Sequence, residues 1–119
     1  PKFKLGMSDI SFCDKFRYLG HVLVGSLDDR DDVNREIRLL FCRYNRLRSK
    51  FGLCSRSVKQ MLWNSFINCF YGCGIWNVPD SVIHLFERSY NLCIKKFFGF
   101  PKYDRNREVY FRLSMVTPI

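Results

Sequence analysis

Between residues 3 and 24 apolar and polar positions alternate: Phe3 and Leu5, then Ile10 and Phe12, then Phe16 and Tyr18, then a run through Val22, Leu23 and Val24. A period of two marks a strand with one covered face. The stretch "GMSD" interrupts the first segment with turn residues, so the pattern predicts two or three short strands paired as a hairpin. A hairpin this short is marginal alone and needs a helix or more strands over its apolar side. From Asp31 or Asp32 the period changes. Val33, Ile37, Leu40, Phe41, Tyr44, Leu47 and Phe51 recur at helical spacing and form a single stripe. Arg35, Arg38, Arg43, Arg46 and Lys50 are placed by the same spacing on the opposite side, and the helix is expected to end near Gly52.

A new start follows in "CSRSVKQ", with Ser55 or Ser57 as N-cap. The next segment, "VKQMLWNSFINCFYGCGIW", carries Val58, Met61, Leu62, Trp63, Phe66, Ile67, Cys69, Phe70, Tyr71 and Trp76. It is apolar almost all round, which predicts a second helix covered on several sides. Gly72 and Gly74 weaken its end or admit a close neighbour, and Pro79 closes the connection. "DSVIHLFERSYNLCIKKFFGFP" reads as a third helix: Asp80 or Ser81 caps it, Lys95 and Lys96 sit in its last turns, Gly99 is the C-cap and Pro101 forbids continuation. Asp104 is expected to cap a fourth segment, "RNREVYFRLSMV". The fold class is therefore mainly α, a short N-terminal β-hairpin over residues 1–25 followed by three or four packed helices over residues 26–119.

Composition narrows this further. The chain has 119 residues, 47% hydrophobic and 17% aromatic, enough for a packed core and too much for disorder. The opening Pro1 and the final "LSMVTPI" read as cuts in a longer chain. Twenty Lys and Arg stand against eleven acids, a formal net charge of +9. Such a surface fits a polyanion, nucleic acid before an anionic membrane. No apolar run approaches the roughly 18 residues of a membrane span, and no signal-peptide pattern opens the sequence. The six cysteines, Cys13, Cys42, Cys54, Cys69, Cys73 and Cys93, read as reduced thiols of an intracellular protein, with Cys69 and Cys73 as small core members. With no CxxC pair and two separate histidines, His21 and His84, a zinc site is not expected.

Two clusters are candidates for chemistry. Asp28, Asp29, Asp31 and Asp32 follow a short apolar run, as metal-holding carboxylates do in many polymerases and nucleases. A two-metal site needs carboxylates converging from separate elements, and Asp104 and Glu108 are isolated and flanked by Arg. The four aspartates read instead as a turn and helix start, where acids satisfy free N–H groups and oppose the helix dipole. The second cluster is the row Arg35, Arg38, Arg43, Arg46 and Lys50. A solvated helix face interleaves both signs, whereas here only Glu36 lies near the five cations. The row therefore reads as a phosphate-contacting face, with Arg56, Lys59, Lys95, Lys96 and the Lys102, Arg105, Arg107 group as extensions. His21 reads as a hydrogen-bonded turn or strand residue and His84 as a helix-surface one. Trp63, Trp76 and the Phe-rich end of the third helix read as core.

The order "FRYLGHVL…L.DD.DV.REI..L..R.N.L..KF..CS..VK..L..S…YG..IW", then "F..SYN..IKK.FGFP", resembles the end of the palm and the thumb of non-LTR (LINE-type) retrotransposon reverse transcriptases. The resemblance runs from about Phe12 to the final "SMVTP" and rests on the pattern as a whole, since a piece such as "YLG" is weak alone. It implies that Phe16, Arg17, Tyr18, Leu19, Gly20 and His21 form a primer-grip element. It also implies that residues 33 to 98 are a helical thumb that tracks the minor groove of a template–primer duplex. The family's catalytic aspartates lie upstream on an "ADD" or "YxDD" hairpin with no counterpart here. The resemblance thus implies a fragment without catalytic residues, metal ligands or cofactor of its own, magnesium belonging to the missing palm. Its implied partners are an RNA–DNA hybrid or duplex DNA, and the rest of the polymerase or another protein on the hairpin side. A rival from another class is a retroelement-derived structural or interaction module, and a third is a basic module for a structural RNA.

Overall fold

The computed structural model of the chain describes residues 2–70 and 72–115. The expectations placed on Pro1, Tyr71 and the closing "VTPI" lie outside the described residues. The molecule is mainly helical with short antiparallel strands at its N-terminus.

The alternating segment forms two separate two-stranded hairpins, more strand than the pattern announced. In the first, β1 (Phe3–Leu5) pairs with β2 (Ser8–Ile10) in the register Phe3↔Ile10, Lys4↔Asp9, Leu5↔Ser8. In the second, β3 (Lys15–Tyr18) pairs with β4 (His21–Val24), with Tyr18 opposite His21. Its two-residue loop holds Leu19 and Gly20, both at positive φ, 47° and 82°. That is the mirror-image turn whose twist matches the flanking strands. Glycine adopts it freely; leucine does not. Residues 2 to 20 are all exposed, so the first hairpin stands off the helical body. The molecule is accordingly extended, 60 × 30 × 18 Å with a radius of gyration of 18.4 Å, where a compact domain of this length has about 13–14 Å.

Helix α1 (Arg30–Phe51) follows the anticipated stripe and is closed by Gly52. It buries Val33, Leu40, Tyr44 and Leu47. Helix α2 (Arg56–Leu62) is much shorter than the expected second helix, although Ser55 is its N-cap. Its last turn widens into a π-helical turn over Trp63–Ile67, after which the chain is irregular up to a 3-10 turn at Cys73–Ile75. The π spacing turns Trp63 and Ile67 to the same side, and both are fully buried. Asn64, Ser65 and Asn68 weaken helix continuation: Ser65 Oγ donates back to the Met61 carbonyl at 2.7 Å, and Asn68 Oδ1 accepts the Tyr90 hydroxyl at 2.7 Å. The segment is covered on one side only, because Met61, Phe66 and Cys69 are exposed. Cys69 is thus no core member; among the six free thiols the buried one is Cys93, which burial pushes up to about 12.

Helix α3 (Asp80–Phe98) ends at Gly99 in left-handed conformation, as expected, but its N-cap is Pro79, with Asp80 inside the first turn. Helix α4 (Asn106–Leu113) is capped by Arg105 in place of Asp104. The core lies where α1, the Trp63 turn, α3 and α4 meet: Leu40, Tyr44, Leu47, Trp63, Ile67, Tyr90, Cys93, Ile94, Phe97, Val109, Tyr110 and Leu113. Trp63 is its centre. Its indole N–H donates to the Tyr90 hydroxyl at 2.8 Å, and its ring lies 5.6 Å from that of Phe97. The indole thereby buries a large apolar area with its one polar atom satisfied.

Candidate nucleic-acid interface

The four aspartates after the second hairpin each take a separate structural place. Asp28 accepts the Arg30 N–H at 3.0 Å, Asp29 accepts the Asn77 N–H at 2.7 Å, and Asp31 pairs with Lys15 at 2.6 Å. Asp32, 2% exposed, is a hub. Its Oδ1 accepts the Val22 N–H at 3.0 Å and Arg35 Nε at 2.8 Å; its Oδ2 accepts His21 Nδ1 and Trp76 Nε1, both at 2.8 Å. A carboxylate has about four lone-pair sites, and all are taken. Asp32 therefore has nothing left for a metal, and it fastens the second hairpin, α1 and the loop after the 3-10 turn to one another. Burial alone raises the pKa of this carboxyl, but the hydrogen bonds from Arg35, His21, Trp76 and Val22 outweigh it and hold the group well below the usual carboxylate range. The sequence placed these acids correctly at a helix start. Reading them only as turn and dipole residues missed the hub, whose partners lie up to 44 residues away.

The close fit at His21 depends on Gly72. A Cβ there would lie 2.7 Å from the imidazole, and its φ of 76° is strained for any other residue. This is the close approach that the glycine pair suggested.

The same region uses up two of the five cations in the α1 row. Glu36, also buried, accepts Arg35 Nη2 at 3.1 Å and Arg43 Nη1 at 3.0 Å. Only 15% of the Arg35 side chain and 22% of that of Arg43 remain exposed. Burial by itself lowers the Arg35 pKa, and the adjoining Asp32 and Glu36 charges reverse that and raise it. Arg38, Arg46 and Lys50 are exposed, and among the described residues Arg38 is held only by a 3.3 Å bond from Nε to the Asn34 carbonyl. The single opposite face drawn from helical spacing is therefore two sets, one neutralised at a flank and one open to solvent.

Of the primer-grip-like residues, Phe16, Arg17, Tyr18, Leu19 and Gly20 are exposed on β3 and its turn, while His21 is half-buried at the hub. A concave pocket of about 380 Å3 brings part of this element to α1, lined by Lys15, Arg17, Val22, Asp31, Arg35, Arg38, Leu39 and Cys42. Lys15 and Arg17 reach it from alternate positions of β3, and Arg35 and Arg38 from the adjoining helix. Lys15 was missed although the period of two places it on the face of Arg17. A second pocket of about 610 Å3 lies at the far end of α1, where Arg48, Lys50, Lys59 and Lys96 line it with no carboxylate. Lys59 is partly committed there, donating to the Phe97 carbonyl at 3.0 Å and lying 5.2 Å from the centre of its ring.

Among the described residues, no group of His, Cys, Asp and Glu is placed to hold a metal ion, and no helix is long and apolar enough to cross a membrane. No protein-family model matches the chain, and neither a curated protein nor a solved structure matches it.

Proposed function

We propose that the chain is the thumb and primer-grip portion of a non-LTR-type reverse transcriptase, holding a template–primer duplex through its phosphates. The observation that carries this reading is the meeting of Arg17 from the hairpin with Arg38 from α1 in one concave surface, where Lys15 and Arg35 are already paired with Asp31 and with Asp32 and Glu36. From it the exposed Arg46 and Lys50 continue along α1 to the second cationic pocket. The 22 residues of α1 span about 33 Å, close to one turn of a duplex, at roughly 34 Å. Phosphate contacts of this kind set position without reading sequence. The Asp32 hub gives them a rigid base by fixing the hairpin to the helix.

The test is binding to an RNA–DNA hybrid, duplex DNA and single strands across a salt series. The variant to run beside it is Arg38→Glu, Arg46→Glu, Lys50→Glu, which spares Arg35 and Arg43 because those two neutralise buried acids. The expected result is sequence-independent duplex binding whose log–log salt slope falls by about 0.9 for each phosphate that the variant no longer neutralises. Binding that is absent, or indifferent to the variant, overturns the reading.

A second reading, a protein-docking module, draws on one observation. Phe3, Leu5 and Ile10 share one face of the first hairpin and Phe16, Tyr18 and Leu23 one face of the second, all exposed. In the favoured reading that apolar surface meets the remainder of the polymerase, and the chain alone adds no nucleotides.

A further inference from the structure

A third concave region lies between α3 and α4, and it shares no lining residue with the two pockets assigned to the duplex surface. It has a volume of about 400 Å3 and is lined by Arg88, Ser89, Asn91, Lys95, Lys102 and Asn106, over an apolar side made by Leu85 and Leu92. Three of these residues are cations and none is an acid. The decisive group is Lys95, only 9% exposed. Its ammonium has three donors, and one is used, on the Lys102 carbonyl at 3.2 Å. No carboxylate among the described residues pairs with it. A buried charge without a counter-charge is costly. The contrast with Asp32, whose charge is met from four directions, marks Lys95 as one partner short.

Of the neutral residues around it, Ser89 spends its hydroxyl proton on the Leu85 carbonyl at 2.9 Å, and Asn91 is the one that keeps a donor. The Tyr110 hydroxyl donates to Asn91 Oδ1, which leaves the donor side of that amide for the pocket. Arg88 has no ion pair among the described residues and brings a planar fork of donors suited to oxyanions. A carboxylate offers two oxygens to this set, whereas a phosphate offers three or four and up to two charges. A bare phosphate fills only a fraction of the volume, and the leucine side gives an apolar wall for an organic group attached to it.

We propose that the α3–α4 pocket binds a phosphate ester, its oxyanion seated on Lys95 Nζ between Arg88 and Lys102. The ester is either a small free molecule or one phosphate of a nucleic-acid strand, and the chemistry of recognition is the same for both.

The test is titration of the isotopically labelled full chain, at fixed ionic strength, with inorganic phosphate, adenosine monophosphate and a short single-stranded oligonucleotide. Magnetic resonance shifts and calorimetry would be read together. Saturable binding with shifts confined to α3 and α4, weakened at least tenfold by Arg88→Gln and by Lys95→Met, is the expected result. Binding of the monophosphate identifies a free ester; binding of the oligonucleotide alone, with the same dependence on Arg88, identifies a strand phosphate. Lys95→Met risks the fold, so Arg88→Gln and Lys102→Gln, both at exposed positions, decide the matter by themselves. No saturable binding of any probe, or binding that both exposed variants leave unchanged, overturns the proposal. Arg38→Gln separates this site from the duplex surface, since it should leave the titration unaltered whether or not duplex binding depends on it.

Discussion

The two halves of α1 are built from the same residue types and use them in different ways. From Arg30 to Arg43 four arginines meet three carboxylates, and two of those acids, Asp32 and Glu36, are buried with Arg35 and Arg43 turned onto them. From Tyr44 to Phe51 there are three cations and no acid, and Arg46, Arg48 and Lys50 all stand in solvent. The first half is a joint and the second a surface. The difference teaches that the availability of a charge depends on whether an acid lies one or two turns away on the same flank, and counting cations along a helix does not reveal that.

The most severe way to break the joint is Asp32→Ala. It leaves Arg35 without its closest partner and the donors of His21, Trp76 and Val22 without an acceptor. Removing one member of a buried ionic network costs about 3–5 kcal/mol. Urea unfolding should show the unfolding free energy lowered by that amount, as a lower midpoint at unchanged slope, while Arg46→Ala changes the free energy by less than about 0.5 kcal/mol. Equal, small effects from the two substitutions would remove the distinction between joint and surface.

Acid should break the joint more gradually. The folded state holds the Asp32 carboxyl below its ordinary range, so the unfolded chain takes up that proton first. The stabilisation is fully present above the unfolded pKa of about 3.9 and is lost as pH falls toward the lower folded value. Stability of the unsubstituted chain should therefore fall steeply below about pH 4. Asp32→Asn, weaker throughout, should show a shallower fall over the same interval, measured by chemical unfolding at each pH.

A pair of single substitutions sharpens the comparison. Arg43→Ala leaves Glu36 buried with Arg35 as its remaining partner, a loss of about 1–3 kcal/mol, and it should change duplex affinity little once the protein is folded. Arg46→Ala should do the reverse, leaving stability intact and lowering the salt slope of duplex binding by about 0.9. If Arg43→Ala reduced the slope as much as Arg46→Ala, the carboxylate pairing would not withdraw a cation from the interface.

Much of this was legible in the sequence, and the rest was hidden for identifiable reasons. The α1 stripe and the Gly99–Pro101 stop of α3 are local features, so periodicity and capping chemistry found them. The second helix misled because apolar content was taken for burial. Asn64, Ser65 and Asn68 were the signal that its helix would not persist, and Met61 and Phe66 are exposed in consequence. For the candidate site, the cation row was visible, yet the seven-residue spacing of Glu36 and Arg43 already placed them on one flank two turns apart. The Asp32 hub was not visible, since Val22 and Trp76 come to it by tertiary folding alone.

Leu19 supports the smallest change and tests the hairpin independently of α1. A leucine at φ 47° in a two-residue turn occupies a conformation that asparagine or glycine accepts at less cost. Its side chain is exposed, so no packing in the described structure compensates the strain. Leu19→Asn should therefore raise stability by up to about 1 kcal/mol, read as reduced amide exchange across the β3–β4 pairs with no change at Trp63. Strain retained at an exposed apolar turn tip has a use when that tip contacts something. In the proposed function the tip belongs to the element that positions the primer, so the same variant should weaken duplex binding while strengthening the hairpin. A variant that gains stability and keeps full affinity would take Leu19 out of the interface and leave grip to Arg17 and the open cations of α1.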